Sequence, residues 1–268
     1  MTAIATVGHA SIHVSAAREE MGELAGLQVA QEIRRRLDRQ RAVRMIFAAA
    51  PSQSEMLHAL ADADGVDWGR VEAFHMDEYI GLPVGARQRF GEWLKREFFD
   101  RVELRGVHLI EPGEDAERCA DAYGALLAEQ PIDIVCLGIG MNGHIAFNDP
   151  PADFDEPRDV RVVELDRLSR VQQVEEGLFP ALQAVPTHAL TLSVPRLLRA
   201  ERLFCCVPGD LKRAAVMRAF SGTVDASSPA SILREHAGCA VYLDADSAAG
   251  LVAGLVTGLV AGRIEPER

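Results

Sequence analysis

Residues 132–138, IDIVCLG, read as a β-strand that is apolar on both faces. Such a strand is stable inside a sheet covered on both sides, and sheets of that kind are parallel, with helices crossing over between strands. The rest of the chain follows the same plan. Strand-like stretches at 42–49, 70–75, 107–110, 160–164, 189–194, 203–207 and 240–243 alternate with helical patterns at 16–40, 51–63, 89–99, 114–129 and 211–220. No Pro/Gly/Ser linker, composition break or internal repeat divides residues 1–268. The fold class expected is α/β, one doubly wound domain with a mostly parallel sheet.

Composition removes several functions. With 28 Lys+Arg against 40 Asp+Glu the net charge is -12, the opposite of the basic face that nucleic acid or an anionic membrane surface requires. The five cysteines are odd in number, two are adjacent (Cys205 and Cys206), and none forms a CxxC pair, which argues against a disulfide framework or structural zinc. The first 20 residues lack a basic stretch followed by an apolar run, so no signal peptide is expected, and a cytoplasmic location fits. Residues 248–262 are apolar with Gly250, Gly254, Gly258 and Gly262 at four-residue spacing. That run is shorter than the roughly 18–20 residues that span a bilayer, so it reads as a soluble helix packed closely on a neighbour.

Ligands of doubly wound sheets sit beyond the carboxyl ends of the strands. The loops to search therefore follow Ala49, His75, Gly138 and Val207. Gly138, Gly140 and Gly143 satisfy GxGxxG, but the loop runs on through Asn148, Asp149, Pro150 and Pro151, and Glu164 comes 26 positions after Gly138. A dinucleotide fingerprint opens a helix directly and has its acid about 20 residues on, so no nucleotide cofactor is expected.

The same loop lines a backbone cradle with Gly140 and Gly143 and carries Asn142, His144 and Asp149, able to converge on a small ligand. A histidine beside a carboxylate is an acid/base near working pH, although a lone loop histidine is more often tied to a backbone carbonyl. Asp77 and Glu78 end a strand and must point in different directions if it continues, so one at most faces a given site. Lys212, after Pro208, Gly209 and Asp210 at a strand-to-helix turn, and Arg170 in RLSRVQQ are candidate anion donors. No HxxH, HExxH or paired CxxC set appears, so no metal is expected.

Taken together, MDEYIGL at 76–82, GIGMNGHIAFNDP at 138–150 and PASIL at 229–233 resemble the glucosamine-6-phosphate deaminases (isomerising), over roughly residues 43–243. The resemblance implies a Rossmann-like domain that converts glucosamine 6-phosphate to fructose 6-phosphate and ammonia without cofactor or metal. Its implied partner is a small-molecule sugar phosphate, and it leaves homo-oligomer formation open. By the same resemblance Asp77 moves the proton between the second and first sugar carbons. His144 opens the ring with Asp149 in support, Asn142 stands beside them, and Arg170 and Lys212 hold the phosphate.

Three departures stand out, the first at Asn142, a position that is Asp in some members of the family and Asn in others. The family commonly has Glu where this chain has Asp149, and its Thr/Gly/Ser-rich phosphate loop is replaced by FAAAPSQS at 47–54, leaving Ser52, Gln53 and Ser54 as substrate-binding candidates. Two relatives by fold compete. A 6-phosphogluconolactonase would continue from its GH with TASLFP-like residues, where this chain reads HIAFNDP. A sugar-phosphate sensor would carry a DNA-binding segment, whereas only about 40 residues precede the first buried strand and they read mainly as one helix. A galactosamine 6-phosphate enzyme stays open.

Overall fold

The computed structural model describes residues 3–251. Its strands are β1 (Ala3–Val7), β2 (Ala10–Val14), β3 (Val43–Phe47), β4 (Val71–His75), β5 (Asp77–Tyr79), β6 (Gly106–His108), β7 (Ile134–Leu137), β8 (Val160–Glu164), β9 (His188–Leu192), β10 (Arg202–Val207) and β11 (Cys239–Leu243). The helices are α1 (Arg18–Leu37), α2 (Ser54–Ala61), α3 (Phe90–Glu97), α4 (Ala116–Ala128), α5 (Arg167–Glu175), α6 (Val194–Leu198), α7 (Arg213–Ser221) and α8 (Ala245–Ala248).

An eight-stranded sheet in the order β1-β2-β11-β10-β7-β3-β4-β6 forms the centre. Every pairing in it is parallel except β1 with β2. The alternation along β3 and β7 shows why both faces had to be covered. Met45, Phe47, Ile134 and Cys136 face the core closed by α1, α2 and α3. Ile46, Val135 and Leu137 face the opposite core, closed by α4 and α7. The ends of α1 suit its dipole, with Glu19 and Glu20 in the first turn and Arg34, Arg35 and Arg36 in the last. α4 is capped by Asp115, whose carboxylate accepts from the Arg118 N–H at 3.0 Å.

Two expectations are corrected. The segments at 160–164 and 189–194 hold strands, the second ending at Leu192 before α6 begins at Val194, but these strands join β5 in a separate antiparallel sheet, β5-β9-β8, and not the parallel one. Their periodicity was informative about strands and silent about partners. The N-terminus is also not mainly helix, because the β1–β2 hairpin precedes α1, and β2 enters the central sheet beside β11 with Ala10 and Ile12 fully buried. Gly8 makes the hairpin feasible. Its φ is +62°, and a Cβ there would meet the Arg234 carbonyl oxygen at 2.5 Å.

The five cysteines are free, and no helix among the described residues is long and apolar enough to cross a membrane. Most of the glycine-spaced run at 248–262 lies outside the described residues.

Candidate active site

β10, β7, β3 and β4 are parallel neighbours, so the loops leaving their carboxyl ends meet at one edge of the sheet. They border an open cavity whose wall includes Ala48, Ser52, Asp77, Gly140, His144 and Lys212. This is where a doubly wound sheet was expected to bind its ligand.

Asp77 reaches the cavity because β4 ends at His75 and the chain crosses into the small sheet, where Asp77 pairs with Thr191 of β9. The next side chain turns away, as alternation requires. Glu78 is fully buried and accepts from the N–H groups of Tyr79 (2.9 Å), Phe90 (3.1 Å) and Gly91 (3.0 Å), so it anchors the start of α3. Asp77 is 6% exposed, and burial, then the negative charge of Glu78, push its carboxyl well above the ordinary aspartate range.

The loop after β7 folds on itself. The Gly140 N–H donates to the His144 carbonyl at 2.9 Å, and the Gly143 N–H, at a residue with φ of +94°, donates to the Gly140 carbonyl at 2.9 Å. Both amides are spent inside the loop and are not free to cradle a pyrophosphate. Gly140 lines the cavity and Gly143 does not. A Cβ on Gly140 would overlap the His144 imidazole, so the missing side chain is what makes room for the ring.

His144 is tied to a carboxylate, not to a backbone carbonyl. Its Nδ1 lies 3.2 Å from Asp149 Oδ1 and 2.7 Å from Ser169 Oγ. Asn142 braces both partners: its Oδ1 accepts the His144 N–H at 3.0 Å, and its Nδ2 donates to Asp149 Oδ1 at 2.9 Å. Asp149 also accepts from the Ser169 hydroxyl and, at 2.8 Å, from the Asp166 N–H. Burial alone would raise the Asp149 carboxyl, but the hydrogen bond and charge of His144, then Ser169 and Asn142, hold it down to about 2. Asn142 and Asp149 stand behind His144 and outside the wall of this cavity, so they position the ring.

The anion-binding expectations fare unevenly. Lys212 lines the cavity at 6% exposure, with Nζ 3.2 Å from Glu176 Oε1; burial lowers its pKa, opposed by Glu176. Ser52 and Gln53 line the cavity, whereas Ser54 starts α2 outside its wall. Arg170 is turned elsewhere: it donates to the carbonyls of Leu182 (2.9 Å) and Val185 (3.0 Å) and does not line the cavity. Helical spacing decides this, because α5 presents Ser169, Gln172 and Gln173 to the site and Arg170 to the 182–185 turn.

Sequence reasoning missed those three residues and Glu176. Gln172 Oε1 accepts the Met141 N–H at 2.8 Å, and Gln173 Oε1 accepts the Tyr79 hydroxyl at 2.7 Å. An i, i+3, i+4 polar face on a helix capped by Asp166 was the signal available. Among the described residues no three His, Cys, Asp or Glu side chains are grouped to hold a metal ion.

The sequence model described as glucosamine-6-phosphate isomerases/6-phosphogluconolactonase matches residues 16–242. The chain is 31% identical over 229 residues to a glucosamine-6-phosphate deaminase of Listeria monocytogenes serotype 4a (strain HCC23), covering 85% of this chain and 96% of that one. It is 28% identical over 235 residues to the Pseudarthrobacter chlorophenolicus glucosamine-6-phosphate deaminase, covering 86% and 88%. A solved monomeric glucosamine-6-phosphate deaminase superposes with a TM-score of 0.81 at 23% identity, covering 89% and 98% of the two chains. The Trypanosoma brucei 6-phosphogluconolactonase superposes with a TM-score of 0.76 at 18% identity, covering 93% and 100%. These two likenesses are of fold.

Proposed function

The chain belongs to the glucosamine-6-phosphate isomerase/6-phosphogluconolactonase family, and from that premise we propose that it is an enzyme that isomerises and deaminates an amino-sugar phosphate, glucosamine 6-phosphate first among the candidates. The products are the ketose phosphate and ammonia, with one water consumed overall.

One observation carries this reading: a buried carboxyl with a raised pKa, Asp77, and a carboxylate-anchored imidazole, His144, line the same cavity. An aldose–ketose shift needs both. The ring must open before carbon 1 can accept a proton, and His144, with Nδ1 committed to Asp149 and Ser169, offers Nε2 to the ring oxygen. A second group must then carry the proton from carbon 2 to carbon 1. A carboxyl whose affinity for a proton burial has raised accepts one from carbon more readily than an ordinary aspartate and can return it to the neighbouring carbon. The amine-bearing carbon becomes trigonal in the shift, and water then displaces ammonia. Five free thiols, four of them buried, fit a reducing cytoplasm.

Ammonia release from glucosamine 6-phosphate and galactosamine 6-phosphate, with 6-phosphogluconolactone hydrolysis followed in parallel, tests the proposal. Ammonia without lactone hydrolysis is expected. Hydrolysis of the lactone with no ammonia from either sugar would move the chain to the lactonase branch of its family.

A further inference from the structure

Lys212 is the one Lys or Arg on the cavity wall among the described residues, and its charge is already answered. Glu176 Oε1 lies 3.2 Å from its Nζ and is held in place by Gln172 Nε2 at 2.8 Å. The other oxygen, Glu176 Oε2, is buried and has no hydrogen-bond partner among the described residues. Gln53, also on the wall and 1% exposed, repeats the pattern. Its Nε2 donates to the Cys206 carbonyl at 3.1 Å and lies 3.2 Å from Ser52 Oγ, which fixes the amide, since reversal would set two acceptor oxygens against each other. That leaves Gln53 Oε1 buried without a partner among the described residues.

The site therefore combines a compensated cation with two unmatched acceptors. A doubly charged phosphate has only acceptors to offer and prefers uncompensated donors. A hydroxyl both donates and accepts. Arg170, which could have restored positive charge, is bound to the carbonyls of Leu182 and Val185.

We propose that Glu176 and Gln53 are specificity-determining residues that widen the substrate class to unphosphorylated amino sugars, because Glu176 neutralises Lys212 and Gln53 Oε1 accepts from the sugar's terminal hydroxyl. The proposal rests on the deaminase reading for its chemistry, but its binding test does not depend on turnover. Calorimetry with glucitol and glucitol 6-phosphate, which have no carbonyl to react, measures the discrimination directly. The wild-type protein is expected to bind the two within about tenfold of each other, far less than a charged cradle would give.

Glu176→Gln keeps the side chain's shape and frees Lys212. It should tighten glucitol 6-phosphate by about tenfold without tightening glucitol, and the gain should vanish in the Glu176→Gln/Lys212→Met double variant. Thermal melts of each variant report folding. A wild-type preference for the phosphorylated polyol beyond tenfold, or a Glu176→Gln protein that binds it no better, would overturn the proposal. Ammonia release from glucosamine and glucosamine 6-phosphate supplies the second arm. Comparable kcat/KM on both supports the wider substrate class. No ammonia from either sinks the deaminase reading and leaves the polyol affinities to decide this one.

Discussion

The wall that carries His144 and the wall that carries Lys212 border one cavity but spend their polar groups differently. Behind His144, the Asp149 carboxylate receives His144, Ser169, Asn142 and the Asp166 N–H, and Gly140 and Gly143 close the loop with their own amides. Elsewhere on the cavity, Gln53 Oε1, and Glu176 Oε2 beside Lys212, are buried with no hydrogen-bond partner among the described residues. A group that must move protons gains from being held in one orientation before the substrate arrives. A group that selects a substrate gains from being incomplete until it arrives, since an unsatisfied buried acceptor rejects any ligand that cannot donate to it.

The harshest test concerns Asp77, which lines the same cavity as His144. Asp77→Asn should lower turnover at least 10²–10⁴-fold, the contribution of a well-placed proton-transfer group. The same change should raise stability at neutral pH. Asp77 titrates higher in the folded chain than the ordinary aspartate, so its stabilising effect is full at low pH and is lost as pH rises through the folded value. Asparagine escapes that loss. Kinetics and melting temperature at pH 7–8 check both halves, and a near-wild-type rate in the folded variant would remove Asp77 from the chemistry.

Gly140→Ala comes next. The added methyl lands on the His144 ring, whose Nδ1 side is fixed by Asp149 and Ser169, so ring or loop must shift. Overpacking of this kind costs about 1–3 kcal/mol, and displacing a catalytic group by about 1 Å costs about 10²-fold in rate. A wild-type kcat for Gly140→Ala would mean that the rigid wall is not rigid.

Acid sharpens the contrast further. Asp149 is held down to about 2, against about 3.9 for an unfolded aspartate, so its contribution is present above the unfolded value and disappears as pH falls from about 4 toward 2. That difference corresponds to about 2–3 kcal/mol at neutral pH, which Asp149→Asn should forfeit. Urea melts at pH 7 and pH 3 measure it: the gap between wild type and variant should narrow at the lower pH.

How much of this was legible in the sequence depends on whether a residue's role is local. The central strands were readable because an apolar run such as 132–138 can only be buried. That Asn142, His144 and Asp149 meet was readable because they lie within eight residues on one loop. The β5-β9-β8 sheet was not, since Asp77–Tyr79 pairs with strand residues more than a hundred positions away and pairing leaves no trace in periodicity. Ser169, Gln172, Gln173 and Glu176 were missed for a related reason. The eye goes to the charged residue, Arg170, while the helix turns a different face to the site.

Arg170 gives the smallest expected effect on substrate and the cleanest reading of that lesson. The guanidinium holds the carbonyls of Leu182 and Val185 at 2.9 and 3.0 Å, and Val185 is 2% exposed. Removing it strands acceptors beneath the 182–185 turn, which costs about 1–3 kcal/mol. A residue that bound phosphate directly would instead raise KM about tenfold or more when truncated, because a charge-assisted contact contributes about 1.5–3 kcal/mol. Arg170→Ala should therefore lower the melting temperature while KM for glucosamine 6-phosphate stays within about twofold of wild type. A tenfold rise in KM at unchanged stability would return Arg170 to the substrate. It would also show that the cavity acquires, on binding, the positive charge that Glu176 now cancels at Lys212.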